Sequence, residues 1–286
     1  MSTKRRTNTN AIDNGTREWP LVSVIIPTKN SAVTIEKCLK SIVDQTYPKI
    51  EVIIVDGLST DITRKIAEEF SAKIVISNSR RSEARNIGAE SSTGEYLLFV
   101  DSDMQLDPMV IAKCMEMTDT GCDVLIIPEI SVGQGFWAKC RTLEKSCYLG
   151  DDNIEASRFF KRSAFRRIGG YDIDLEAGED WDINERMRHK GNIIGRIRST
   201  IIHDEGKLNL VDSARKKRRY GRSIGRYQRK QPARAIRQLT PFRMSYIRNR
   251  RKLAEDPVHS LGLIVFKTFE FVAGLLGLIE SAISEK

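Results

Sequence analysis

Glu95-Tyr-Leu-Leu-Phe-Val-Asp101-Ser-Asp103 decides how this chain is read. Tyr96 to Val100 is a short unbroken apolar run, the pattern of a strand buried on both faces of a parallel sheet. Two carboxylates stand at its C-terminal end, the side on which open α/β sheets bind ligands. One residue separates Asp101 from Asp103, so an extended backbone turns both the same way. Like charges this close are costly unless a cation lies beside them. A hard divalent ion, Mg²⁺ or Mn²⁺, takes carboxylate oxygens and also holds substrate phosphates. Capping of the next helix is the competing explanation for an isolated Asp-x-Asp.

Working back toward the N-terminus, the same pattern repeats. Leu21-Val-Ser-Val-Ile-Ile26 reads as a first strand ending at Pro27-Thr28-Lys29-Asn30, and Ile35, Leu39, Ile42 and Val43 recur at helical spacing until Pro48. Val52-Ile-Ile-Val55 is a second strand ending at Asp56-Gly57, with Ser59 and Thr60 as caps for a helix carrying Ile62, Ile66 and Phe70. Lys73 to Ile76 is a third strand, a helix opens near Ser82, and Gly94 closes it; Val124 to Ile127 is a further strand. Alternation of this kind predicts βαβ units and a mostly parallel sheet. Right-handed crossovers then bring Pro27, Asp56 and Asp101 to one rim, a site of nucleotide size. The turn after the first strand lacks Gly-x-Gly-x-x-Gly, and the chain has no Gly-x-x-x-x-Gly-Lys, so no glycine loop cradles phosphate. Asp56 can accept from a ring N–H of uracil or guanine, although a helix cap is its simpler role.

The chain has 286 residues, room for one large domain and an extension, and 40% are hydrophobic, an ordinary globular share. A net charge of +9 calls for an anionic partner. Five cysteines without a Cys-x-x-Cys spacing read as packed, reduced thiols and argue against zinc. Met1 to Glu18 has the composition of a polar tail and no apolar leader core. The expected organisation is a tail over 1–18, a catalytic domain over 19–206 and an extension over 207–286.

Taken together, Val24-Ile-Ile-Pro27-Thr-Lys-Asn30, Ile54-Val-Asp56-Gly, Ala84-Arg85-Asn86-Ile-Gly88, the stretch ending in Asp101-Ser-Asp103, Gly169-Gly-Tyr171-Asp172 and Gly178-Glu179-Asp180-Trp181-Asp182 resemble glycosyltransferase family 2. The resemblance runs over residues 21–205 in the family's order. It implies the GT-A fold and a nucleotide-sugar donor carrying UDP or GDP. Under it Pro27, Thr28, Asp56, Arg85 and Asp101 hold base and ribose, while Asp103, with Asp101 beside it, binds a divalent cation on the diphosphate. Asp180 is the catalytic base, with Glu179 and Trp181 on the acceptor side, and His203 is a further candidate metal ligand. One base and one metal suit a single, inverting displacement. A solvated helix start is the plain alternative for Glu179 to Asp182, and a structural role for His203.

The extension changes character. From Ser213 to Ala254 there is no Asp or Glu, and Arg215-Lys-Lys-Arg-Arg219, Arg222, Arg226, Arg229, Arg234, Arg237 and Arg250-Arg-Lys252 are interleaved with Tyr220, Tyr227, Phe242 and Tyr246. Such a run attracts anionic lipid, at about 1 kcal/mol per basic residue, or nucleic acid. Leu261 to Ile283 favours the membrane. Its interrupting residues, Lys267, Glu270, Gly274, Gly277 and Ser281, fall on one helical stripe. A spanning helix needs ~20 apolar residues, and Lys267 and Glu270 make this a poor one. A helix lying in the interface on the cytoplasmic face fits better; packing on the catalytic domain is the other alternative. Gln231-Pro-Ala-Arg234-Ala235 departs from the Gln-x-x-Arg-Trp of the family's processive members, which implies transfer of one sugar. The expected acceptor is a hydroxyl of a membrane lipid or lipid-linked saccharide, and nucleic acid is not an expected partner. A lipid-phosphate acceptor and a non-catalytic membrane scaffold are the alternatives. A haloacid-dehalogenase phosphatase also has Asp-x-Asp, but expects Thr or Val where Gln105 stands.

Overall fold

A computed structural model describes residues 18–152, 154–230 and 243–284. Residues 1–17 of the expected tail, and the stretch holding Gln231 to Ala235 and Arg237, fall outside them. Strands β1 (Val22–Thr28), β2 (Ile50–Asp56), β3 (Lys73–Ile76) and β4 (Tyr96–Phe99) alternate with helices α1 (Ile35–Val43), α2 (Thr63–Glu69) and α3 (Arg81–Ser91). There follow β5 (Met104–Leu106), α4 (Val110–Thr118), β6 (Val124–Ile126), β7 (Glu129–Gln134), α5 (Phe136–Ser146), β8 (Ser157–Lys161), α6 (Arg162–Arg167), α7 (Glu179–His189), β9 (Ile194–Arg196) and β10 (Ile201–Lys207). The extension contributes α8 (Leu210–Lys230), α9 (Met244–Arg248), α10 (Arg250–Glu255) and α11 (Pro257–Ser284).

Seven strands form the central sheet in the order β3-β2-β1-β4-β8-β6-β9. The pairs β1–β2, β1–β4, β2–β3 and β6–β9 are parallel, and β8 runs antiparallel to β4 and β6. Side chains alternate across it. Val24, Ile26, Leu98 and Val100 pack with Ile35 and Leu39 of α1 on one face. Ile25, Leu97 and Phe99 meet Ala84 of α3 and Ile183 of α7 on the other. Gly88 lets α3 lie directly on the sheet, since a Cβ there would come within 2.3 Å of Ile25 Cγ2. The register pairs Thr28 with Asp56, and Ile25 with Phe99, so the ends of β1, β2 and β4 share the expected rim.

A second sheet, β5-β10-β7, has three strands and carries His203 at the register of Met104. The cap of α2 differs from the expectation: Asp61, not Ser59 or Thr60, accepts from the Thr63 N–H at 3.0 Å, and its other oxygen takes the Ala32 N–H at 3.1 Å. Ser59 and Thr60 instead lace the two loops together through Asn30.

The extension packs on the domain. At 28 residues, α11 is about 42 Å long. It crosses α8 so closely that a Cβ on Gly277 would lie 1.9 Å from the Arg218 carbonyl oxygen, and one on Gly221 2.1 Å from that of Gly274. Its polar stripe faces inward. Glu270 is 4% exposed and pairs with Arg141 of α5, while Lys267 lies 2.8 Å from Glu144 and 3.0 Å from Glu270. Its apolar face turns out: Leu261, Ile264, Phe269, Leu276, Ile279 and Ile283 are 46–68% exposed. This helix is long and apolar enough to cross a membrane by length and composition, yet it is seated on α5 and α8.

Candidate active site

The site is organised by one guanidinium. Arg85 projects from α3 beneath the sheet rim and is 1% exposed. Its Nη2 lies 3.1 Å from Asp101 Oδ1, and its Nη1 lies 3.1 Å from Asp180 Oδ1 and 3.5 Å from Glu179 Oε1. The Tyr171 ring sits 5.0 Å from the guanidinium carbon, a cation–π contact. Arg85 thus ties the end of β4 to the start of α7, itself reaching a partner 95 positions along the chain.

Asp101 is held on its other side by Arg158 of β8, at 3.5 Å from Oδ2. Burial alone would raise its pKa, but Arg85 and then Arg158 hold the carboxyl far below the usual carboxylate range. Both of its oxygens therefore face guanidinium groups. Asp103, one residue on, is different: its Oδ1 is buried with no hydrogen-bond partner, and its Oδ2 lies 3.4 Å from His203 Nε2. His203 Nδ1 is 3.6 Å from Glu129 Oε2, too long for a hydrogen bond. Burial opposes a charge on this imidazole, yet Asp103 and Glu129 push its pKa up to about 10. Glu129 is itself bound to Arg158 Nε at 2.5 Å, which closes a chain of charges from Asp103 to Asp180. Sequence reasoning passed over Glu129, because it follows Pro128 in no recognisable motif. Arg158 opens Arg158-Phe-Phe-Lys-Arg162, a stretch that also matches the family but carried no expected role.

On α7, burial first, then the charge of Asp180, push the Glu179 carboxyl up to about 7. Gly178, at φ 82°, takes the left-handed turn that starts this helix with its acids facing Arg85. Trp181 donates from Nε1 to the Ile154 carbonyl at 3.2 Å and packs beside Leu278 of α11. At the rim, Asp56 is fully buried; it accepts from the Ser59 N–H at 2.9 Å and from Thr28 Oγ1 at 3.4 Å. Each of its oxygens retains accepting capacity.

A cavity of about 680 Å³ opens in front of Asp101, Asp180 and His203 and extends under α8 and α11. Thr28 and Asp56 lie outside it, and Asp103 lines a small neighbouring cleft of about 60 Å³ with Lys37 and Asp204. The expected residues therefore divide: Asp101, Glu179, Asp180, Trp181 and His203 line one chamber, with Arg85 joined to three of them, and Thr28 and Asp56 on the rim beyond it.

The family model described as "Glycosyl transferase family 2" matches residues 23–172, just over half of the chain. The chain belongs to glycosyltransferase family 2. It is a glycosyltransferase of GT-A fold that acts on nucleotide-sugar donors. Among relatives, it is 28% identical over 194 residues to the PGL/p-HBAD biosynthesis glycosyltransferase of Mycobacterium bovis, covering 64% of this chain and 75% of that one. Glycosyltransferase AglE of Haloferax volcanii is 44% identical over 97 residues, which cover 31% of this chain and 32% of that protein's length. Among solved structures, the mannosyltransferase PcManGT of Pyrobaculum calidifontis, in complex with GDP-Man and Mn²⁺, superposes with a TM-score of 0.62. The match is 19% identical and covers 93% of this chain and 88% of that one. S. aureus TarS in complex with UDP-GlcNAc gives a TM-score of 0.56 at 19% identity over 93% of this chain and 92% of the other. At these identities the likeness is one of fold.

Proposed function

We propose that this glycosyltransferase moves one sugar from a UDP- or GDP-sugar to a hydroxyl of a membrane lipid or lipid-linked saccharide, with inversion. The observation that carries this reading is the Arg85 bridge. One guanidinium stands 3.1 Å from the strand-end Asp101 and 3.1 Å from Asp180, so donor side and acceptor side share one rigid support. Asp180 faces the chamber and is the base: it takes the proton from the acceptor hydroxyl, whose oxygen then bonds to the anomeric carbon as the sugar–phosphate bond breaks. The bonding pair leaves with the nucleoside diphosphate. Arg85 and Arg158 keep Asp180 and Asp101 in place, and holding both substrates in line is worth roughly 7–11 kcal/mol of barrier. Thr28 and Asp56 receive the base.

Asp103 and His203 fit a divalent cation, Mn²⁺ or Mg²⁺. The buried Asp103 oxygen without a partner is an open ligand, and His203, protonated beside Asp103 and Glu129, would give up that proton to serve as a second ligand, since carboxylate with neutral imidazole suits Mn²⁺. Two protein ligands would leave coordination positions for substrate phosphates and water. When bound, the cation supplies positive charge for the departing diphosphate. With both its oxygens engaged by arginines, Asp101 serves the ribose side and the arginine frame.

The membrane part of the proposal rests on α11. Its inward face, Lys267 and Glu270 with Leu263, Phe266 and Ala273, is seated on α5 and α8, and a wide apolar face remains exposed on the other side. We place that face in the interfacial layer of the cytoplasmic leaflet, with the basic residues of α8 toward anionic headgroups. Spanning would drag the seat of Lys267 and Glu270, and α8 with it, into hydrocarbon. Asp180→Asn tests the chemistry: turnover should fall about 10²–10⁴-fold while donor affinity, measured calorimetrically, is retained. Near-normal turnover would remove Asp180 as the base.

A further inference from the structure

The chamber changes chemistry along its length, and the far end is unexplained by donor binding. Near Asp180 and His203 its walls are acidic. Under the helix crossing they become cationic, where Lys216, Lys217, Arg243 and Lys267 line it. Beside the crossing they are apolar at Phe271 and Leu275, while Leu278 packs against Trp181 next to the base.

Within the cationic part the charges do not balance. Arg141 and Lys267 satisfy Glu144 and Glu270: Arg141 Nη1 is 2.7 Å from Glu144 Oε2 and Nη2 pairs with Glu270 Oε1, while Lys267 takes the remaining oxygens at 2.8 and 3.0 Å. Tyr148 donates to Glu144 as well, at 2.7 Å. Every carboxylate oxygen of the pair is thus engaged. Lys217 is left over. It is half-buried, lines the chamber, and has no hydrogen bond or ion pair with any described residue. Burial outweighs the attraction of Glu270 and draws its pKa down to about 8. Its backbone is pinned, because its own carbonyl lies 3.9 Å from where a Cβ on Gly274 would stand, so the helix crossing fixes where the ammonium can reach.

The apolar part leads outward. Phe271 and Leu275 line the chamber and are also 47% exposed on the outer side of α11. The chamber thus holds the acids around the base, the cations of the helix crossing and an apolar opening at the proposed membrane face.

We infer that the acceptor carries a phosphate ester on an alkyl chain, with Lys217 as the phosphate-binding residue, the chain leaving between Phe271 and Leu275, and the reacting hydroxyl on the far side of the phosphate at Asp180. This deepens the proposed function and rests on it for the place of the hydroxyl. The Lys217 site itself is independent of the donor chemistry. A phosphate is the anion that fits, since it stays charged in a half-buried site and takes several N–H donors at once. Lys216 and Arg243 stand at the same end to supply the remainder. Arg243 is held with its guanidinium carbon 4.8 Å from the Tyr148 ring.

The test uses the full chain and three probes below micelle-forming concentration: decyl phosphate, decanol and inorganic phosphate, each titrated calorimetrically. Decyl phosphate should bind the native chain, and Lys217→Gln should weaken it about tenfold or more, the size of a charge-assisted hydrogen bond. Lys217→Arg should keep most of the affinity. Leu275→Gln should weaken decyl phosphate and leave inorganic phosphate unchanged. Decyl phosphate bound equally by native chain and Lys217→Gln would overturn the site, and inorganic phosphate bound as tightly as decyl phosphate would overturn the lipid. UDP and GDP titrations in the same variants separate the two ideas. Loss of nucleotide binding in the native chain would sink the donor reading without touching the Lys217 result. Unchanged nucleotide binding in Lys217→Gln is expected, and it shows that this variant is folded.

Discussion

Arg85 and Arg141 each anchor a charge cluster, and their surroundings are opposite. Arg85 serves an excess of carboxylates: Asp101, Glu179 and Asp180 all lie within 3.5 Å of it. Arg141 belongs to a cluster with an excess of cations, in which Lys217 has no carboxylate left to pair with. A buried charge cluster is weak evidence for stability by itself, since desolvation offsets most of the attraction. Imbalance is more informative, because a surplus charge is carried at a cost and is relieved only by something that binds. At the Arg85 end the surplus is negative, which suits a proton acceptor and a metal ion. At the Arg141 end it is positive, which suits an anion.

The largest effect expected from breaking this comparison comes at Arg85. Arg85→Met leaves three carboxylates in or near the core without their cation and should cost about 3–5 kcal/mol in urea unfolding of the whole chain. Arg141→Met should cost a similar amount but locally: limited proteolysis should release α11 while the main unfolding transition keeps its midpoint. If the main midpoint of Arg141→Met fell as far as that of Arg85→Met, the two clusters would not be separate units.

Next in size is the metal. Asp103→Ala should abolish the Mn²⁺-dependent part of UDP or GDP affinity in a thermal-shift panel. For the native chain that stabilisation is about 2.7 kcal/mol with ligand at 100 times its dissociation constant. A metal-dependent shift as large in Asp103→Ala as in the native chain would take Asp103 out of the site.

Smaller again is the membrane effect. Replacing Ile264, Phe269, Val272 and Leu276 by Gln changes only the outward face of α11 and leaves its seat intact. Native protein should sediment with neutral and anionic liposomes. The variant should keep only the anionic binding and lose it in high salt, where attraction is screened within about 3 Å. Unaltered binding to neutral liposomes would show that this face is not the anchor.

The smallest effect is at Glu179. Its pKa in the folded chain, about 7, lies above its unfolded value. The fold therefore holds the extra proton, and stability falls as pH rises from the unfolded pKa through about 7. Glu179→Gln removes that slope. Its melting temperature relative to the native chain should be higher at pH 8 than at pH 5; an equal difference at both would contradict the raised pKa.

Much of this arrangement was legible in the residues, for reasons that differ by element. The strand ends at Pro27, Asp56 and Asp101 follow from apolar runs and crossover handedness, which are local or nearly so. The inward stripe of α11 was readable as a stripe, but spacing cannot say which way it faces. That depended on Arg141 and Glu144, far away on α5, whose charges match Lys267 and Glu270. Asp61 took the cap expected of Ser59 and Thr60 because the loop after β2 is drawn toward Asn30 and Ala32, a contact between two turns. Glu129 had no signature, and Lys217 stood only as one member of the basic run from Arg215 to Arg219. Their meaning lies in which partners they meet or lack, and only the fold supplies that.

The outward face of α11 carries a consequence for rates. An enzyme held at a bilayer by that face meets its acceptor in two dimensions, so the quantity that sets its velocity is the acceptor's mole fraction in the leaflet. Adding inert lipid at constant bulk acceptor should slow transfer, and adding detergent micelles should do the same. The water-soluble donor obeys ordinary bulk concentration throughout. The two substrates of one reaction are then governed by different measures of abundance, and membrane composition becomes a control on the reaction without any ligand binding to the protein.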